Sequence, residues 1–137
     1  MADLLVNIDV PDVEQAVRFY EEGLGFVLQR RLFSGSVAEL SCGVQRVYLL
    51  RRDAGSNALP SGQEVRRYLR HWTPVHLDVV VPDVVRAVDR ATAAGAMLEV
   101  PPQLAEWGHL AMLSDPFGNG FCLIEFIGAG YDTVESG

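Results

Sequence analysis

The sequence predicts an α+β protein made of two tandem modules, each a strand, a helix and three further strands. Three observations carry this reading. The segment VPDVEQAV, beginning at Val10, recurs as VPDVVRAV from Val81, an offset of 71 residues (82 − 11 at the proline). It pairs Pro11 with Pro82, Asp12 with Asp83, Val13 with Val84, Ala16 with Ala87 and Val17 with Val88. Apolar residues ahead of each copy alternate with the strand period of two, and those within it recur at helical spacing. After each copy come three apolar runs separated by turn-forming residues.

In the first module Leu4, Val6, Ile8 and Val10 alternate with Leu5, Asn7 and Asp9, the pattern of a half-buried strand. Asp12 follows as a helix N-cap, with Gln15 as its capping-box partner. Val13, Ala16, Val17, Tyr20 and Leu24 form the helix stripe, which Gly23 and Gly25 end. Strands are expected at 26–33, 36–42 and 45–51, with turns at Ser34-Gly35 and Cys42-Gly43.

In the second module Val75, Leu77, Val79 and Val81 share one strand face and His76, Asp78 and Val80 the other. His76 is therefore expected to point away from the helix. Asp83 caps the second helix, Val84, Ala87, Val88 and Ala91 form its stripe, and Gly95 suits its left-handed stop. Strands at 97–100, 109–114 and 120–127 complete the module, with Asp115-Pro116-Phe117-Gly118-Asn119 as a hairpin turn. The joining residues, 53–72, contain the loop composition AGSNALPSG and continue as QEVRRYLRHW, expected as a short helix. Its Arg66, Arg67 and Arg70 are expected on a solvated face, with contact to an anionic ligand as the alternative. The polar tail, 128–137, is expected to fray.

A chain of 137 residues suits one compact domain with a real core. No stretch approaches the roughly 20 apolar residues that span a bilayer, so no membrane partner is expected. A formal charge of −7 argues against a nucleic-acid groove, which needs a concentrated basic surface. Small molecules are the partner class expected. MADLLVNIDV has no basic n-region, so no signal peptide is expected and the cytoplasm is the default. Cys42 and Cys122, each within an apolar run, are expected as buried free thiols.

The tandem modules, with VPDVEQAVRFYEEGLGF early and DPFGNGFCLIEF late, resemble the vicinal oxygen chelate superfamily. That group includes glyoxalase I, extradiol dioxygenases, fosfomycin-resistance thiol transferases and bleomycin-resistance proteins. The resemblance spans roughly residues 4–127 and is specific for fold and weak for function. It implies a single glyoxalase/bleomycin-resistance/dioxygenase domain over 1–137: module 1 at about 4–52, a linker at 53–72, module 2 at about 73–127 and a tail. The mixed sheet of such a domain curls into a cup-shaped cleft.

The resemblance also implies metal positions on the first and last strands of the modules. His76, five residues before Val81, matches one, and Glu125, the acid of LIEF, is taken as another. The remaining two fall on Leu5 and within 47–50, where no usual ligand stands. A divalent metal would thus be held by His76 and Glu125 in an incomplete site, with Asp78, Asn7 or His109 as a third donor. Otherwise His76 and Glu125 form a polar pair lining the cup.

Asn7, Tyr48, Asp78, Trp107, His109 and Phe121 are expected to contact a ligand, Trp107 by stacking and His109 by hydrogen bonding. Glu125 and His109 are the candidate catalytic groups. With two metal positions lost, the expected function is binding of a small organic molecule without a complete metal site. The alternative is a divalent-metal-dependent lyase, thiol transferase or dioxygenase using His76 and Glu125. Metal-free proton abstraction by Glu125 or His109 is a third reading. A homodimer is expected, because such half-cups expose an apolar sheet face.

Overall fold

Each VPDV copy turns a strand into a helix through its aspartate. Asp12 sits in extended backbone and accepts from the Gln15 N–H at 3.1 Å, and Asp83 does the same for Arg86 at 3.1 Å. Each carboxylate satisfies one of the orphan donors of its helix. The computed structural model describes residues 1–137 and comprises two compact units, Met1–Leu69 and Arg70–Gly137.

In the first unit β1 (Val6–Val10) leads to α1 (Val13–Arg18), and then β2 (Val27–Leu32), β3 (Val37–Cys42) and β4 (Gln45–Arg51) follow. The strand order is β1-β4-β3-β2, with β1 parallel to β4 and the other pairs antiparallel. A π-helical turn over Phe19–Gly23 extends α1 and changes its phase. Phe19 joins Tyr20 in the core as a result, their rings 5.0 Å apart and edge to face, while Leu24 is only half-buried. β2 ends at Leu32 rather than Phe33, because Phe33 and Ser34 take left-handed φ values of 50° and 54° in the turn.

The second unit repeats the plan with β5 (Leu77–Val80), α2 (Val84–Ala93), β6 (Met97–Ala105), β7 (Gly108–Ser114) and β8 (Gly120–Phe126) in the order β5-β8-β7-β6. β6 runs five residues past the expected end at Val100. It is an edge strand, where Pro101 and Pro102 are tolerated beside irregular register between Val100 and Gln103. Asp115 closes the β7–β8 hairpin by accepting from the Phe117 and Asn119 N–H groups, both at 2.9 Å. The architecture is the α+β arrangement of two tandem modules that the repeat predicts.

Register assigns the faces of each sheet. In the first, Val47 and Leu49 lie opposite Leu40 and Ala38, all at most 2% exposed and facing α1. In the second, Val79, Leu123, Ala111 and Leu113 form the equivalent layer under α2, with Val84, Val88 and Ala91. The opposite face of each sheet, here the far face, carries the intervening side chains.

Two expectations fail. Residues 63–72 form no helix: isolated bridges join Asn57 to Val65 and His71 to Asn119. The arginines there are not a solvated row, since Arg66 pairs with Asp9 at 2.8 Å and Arg70 pairs with Glu99. Long-range ion pairs replace local helical bonds. The tail is also ordered locally, as a 3₁₀ helix at Gly130–Val134 whose Tyr131 packs on Phe126, ring centroids 4.7 Å apart.

Candidate functional site

On the far face of the first sheet, Asn7 lies beside Tyr48 in the parallel β1–β4 pair, and Tyr48 lies opposite Glu39 on β3. Glu39 is only 7% exposed. A buried carboxylate is costly unless hydrogen-bonded, and here Oε1 accepts from Tyr48 Oη at 2.8 Å and from Arg30 Nη2 at 3.1 Å and Nε at 3.3 Å. The Tyr48 hydroxyl, and next to it Arg30, hold the Glu39 carboxyl below the usual carboxylate range. Donation to Glu39 in turn pushes the Tyr48 hydroxyl up. All three bonds fall on Oε1, which leaves Oε2 as the acceptor available to another molecule. Leu50, half-buried on the same face and paired with the buried Val37, supplies apolar surface beside it.

The far face of the second sheet carries a longer polar run. Arg70 donates to Glu99, and its guanidinium stands 4.5 Å from the centroid of the Trp72 ring. Trp72 Nε1 also donates to Glu99, at 3.0 Å. The Arg70 hydrogen bond holds the Glu99 carboxyl low. Trp72 lies edge-on to His76, centroids 5.7 Å apart, and His76 Nδ1 is 3.2 Å from Asp78 Oδ1. Asp78 faces Cys122 across the β5–β8 pair. Burial, then the charge and hydrogen bond of Asp78, push the Cys122 thiol up to about 11. Both cysteines are free, Cys42 half-buried and Cys122 buried.

The remaining candidates lie elsewhere. Glu125 is on the helix face, where Oε1 accepts from the Val84 N–H at 2.8 Å at the start of α2. His109 lies opposite it on β7, with Nδ1 4.0 Å from Glu125 Oε2 and no hydrogen-bond partner. Phe121 is a core residue of that face, 5% exposed. Trp107, in the β6–β7 turn, packs on Phe126 and Tyr131 with centroids 6.2 and 5.2 Å away. Thus Asn7 and Tyr48 share one far face and His76 and Asp78 another, while His109, Phe121 and Glu125 point to the helix side.

The expected metal pair does not assemble, because His76 and Glu125 are on opposite faces of the second sheet and Glu125 is engaged at a helix terminus. Leu5 offers no donor and Tyr48 is bonded to Glu39. Sequence reading also missed Glu39, Trp72, Glu99 and Cys122. A usable signal existed for Glu39, the single charge in the otherwise uncharged run SVAELSC and flanked by Val37, Ala38 and Leu40. Cys122 needed the strand register.

A Glyoxalase-like domain model matches residues 5–124. No curated protein matches the sequence. Among solved structures, a glyoxalase/bleomycin resistance protein/dioxygenase family enzyme from Burkholderia phytofirmans PsJN is 22% identical over 90% of this chain and 97% of that one, with a TM-score of 0.67. TioX from Micromonospora sp. ML1 is 23% identical over 93% and 98% of the two chains, TM-score 0.64. The fosfomycin resistance protein FosX from Listeria monocytogenes is 14% identical over 93% and 95%, TM-score 0.68. These likenesses speak for the fold. With the domain model matched across most of the chain, which shares its fold with solved glyoxalase/bleomycin resistance/dioxygenase proteins, the protein belongs to the Glyoxalase-like domain family.

Proposed function

We propose that this protein binds a small organic molecule on the far face of its first sheet, through Asn7, Glu39 and Tyr48, without a metal at that face. The observation that carries the reading is Glu39. Its carboxylate is buried, fixed on one oxygen by Tyr48 and Arg30, and open on the other. A preorganised acceptor set beside apolar side chains is the chemistry of a small-molecule site. The ligand therefore carries a hydroxyl or amine that donates to Glu39 Oε2, with apolar surface against Leu50. That one structural neighbour is named a fosfomycin resistance protein supports a small organic compound as the ligand class.

A homodimer belongs to the same proposal, supported by exposed apolar residues such as Val27, Met97 and Leu104. A cytoplasmic setting is supported by the two free thiols. The test is a thermal-shift screen of antibiotics, glutathione adducts and catechols against wild type, Glu39→Gln and Tyr48→Phe. A compound that stabilises wild type and loses at least about tenfold in affinity in Glu39→Gln, the scale of a lost charge-assisted hydrogen bond, supports the reading. Hits that bind both variants as tightly as wild type refute it.

A further inference from the structure

The linker doubles back and sets a guanidinium against the far face of the first sheet. The Gly55 N–H donates to the Arg66 carbonyl at 2.8 Å, the Arg66 N–H to the Ser56 carbonyl at 2.8 Å and the Ala58 N–H to the Glu64 carbonyl at 2.9 Å. Arg66 thereby meets Asp9, which follows Asn7 by two residues on the same face of β1 and is paired with Leu50. Arg66 Nε donates to Asp9 Oδ2 at 2.8 Å, and Nη1 donates to Ser56 Oγ at 3.2 Å and to the Asn57 carbonyl. Nη2 makes none of these bonds. A side chain only 18% exposed thus keeps two unused N–H donors. We propose that Arg66 is the anion subsite of the ligand site on this sheet, so that the ligand carries a carboxylate at the end opposite the hydroxyl or amine taken by Glu39.

Charge and spacing both support this ligand class. Burial first, and then the Asp9 charge, push the Tyr68 hydroxyl up against the opposing pull of Arg66 and Arg52, which sets both arginines near Asp9. Arg51 is taken by Asp53 at 3.3 Å, and Arg52 Nη1 bonds only a neutral carbonyl, that of Arg51. Asp9 alone therefore faces Arg52 and Arg66, and one positive charge is left over on a chain of formal charge −7. Glu39 lies opposite Tyr48, Tyr48 beside Asn7, and Asp9 two residues further along β1. Two strand spacings and two residues of rise put the two corners about 12 Å apart between Cα atoms, a gap that a small bifunctional molecule spans. Half-buried Leu50 lies between them as an apolar floor. Asp9 holds the guanidinium in place and also competes for it, whereas a ligand carboxylate on Nη2 adds a charge-assisted bond of its own.

This inference rests on the ligand site proposed at Glu39 and Tyr48, and the test separates the two. ω-Amino and ω-hydroxy acids from hexanoate to decanoate, each beside its methyl ester, are titrated into the labelled full-length protein and followed by amide NMR. At least one acid is expected to bind about tenfold or more tightly than its ester, the scale of a hydrogen bond to a charged group. In Arg66→Gln that acid and its ester bind alike, and Glu39→Gln weakens both. Because Arg66→Gln also loosens the linker, Asp9→Asn gives a second readout: with the competitor gone, the preference for acid over ester widens, which loosening alone would not produce. Acids and esters that bind alike in wild type but weaken in Glu39→Gln overturn the anion subsite and leave the Glu39 site standing. A preference for acid that survives in Arg66→Gln, or fails to widen in Asp9→Asn, overturns the subsite as well. Binding indifferent to Glu39→Gln overturns both readings. Absence of binding by every acid and ester overturns the carboxylate class, while the broader thermal screen still decides the Glu39 site.

Discussion

Glu39 sets the pH dependence expected of the first sheet. Its carboxyl is held below the ordinary value of 4.5 by the Tyr48 hydroxyl first and then by Arg30. Between the depressed folded value and the unfolded one, the unfolded chain binds more protons, so stability rises with pH across that window. The contribution is therefore fully present above the ordinary value and is lost as pH falls through the folded one. Urea unfolding of wild type and Glu39→Gln from neutral to acid pH checks this. Wild type's lead is expected to shrink below about pH 4.5, near the unperturbed glutamate range, and a gap that stays constant would contradict the assignment. Glu125 has a different role. Removing its bond to the Val84 N–H in Glu125→Ala is expected to cost about 1 kcal/mol, as for a lost N-cap, in the same unfolding experiment. Ligand binding at the first sheet should be unchanged. The phase of His76 was legible from alternation alone. Glu125 was not placed correctly, because β8 is apolar on both faces and gives no alternation to read. The register sets Cys122 opposite Asp78, and a displacement of three residues, being odd, moves a side chain to the other face.

At the scale of elements, local chemistry was legible and long-range chemistry was not. Both aspartate caps and the DPFGN hairpin appear as expected, since each is closed by bonds within a few residues. The segment at 63–72 was misread as a helix because what fixes it lies far away in sequence. Arg66 reaches Asp9, and the Tyr68 hydroxyl donates to the Arg52 carbonyl at 2.7 Å. The tail likewise depends on Trp107 and Phe126, more than twenty residues and four residues away respectively from Gly130. Asp115→Ala removes a buried carboxylate that accepts from two backbone N–H groups and from the Asn119 side chain. A loss of about 2–3 kcal/mol is expected on the scale of charged hydrogen bonds; a loss under half that would contradict the role given to this turn. Two glycines separate a rigid from a movable neighbour. A Cβ at Gly108 would stand 2.2 Å from the Glu125 carbonyl oxygen, and one at Gly120 would stand 2.6 Å from the Trp72 ring. Gly108→Ala is therefore expected to destabilise by at least about 1–3 kcal/mol, the cost of overpacking. Gly120→Ala is expected to cost less, because the indole can swing away, and to shift tryptophan emission toward longer wavelength. The reverse order of stabilities would contradict this reading.

At the scale of the whole chain, a duplicated topology carries diverged chemistry. Both sheets use the same strand order, with the first strand parallel to the last. Asn7 and Tyr48 in one stand where Asp78 and Cys122 stand in the other. The duplication was visible because apolar periodicity and helix caps are demanded by packing in each copy. The chemistry was not, because far-face residues are free of that demand and the superfamily's scaffold hosts many reactions. Whether Glu39 and Tyr48 form a ligand site is decided by amide NMR of the labelled protein titrated with the best compound from the thermal screen. Shifts centred on Asn7, Glu39 and Tyr48 are expected, vanishing in Glu39→Gln while the rest of the spectrum keeps its dispersion. Shifts confined to other residues, or the same shifts in Glu39→Gln, would contradict it.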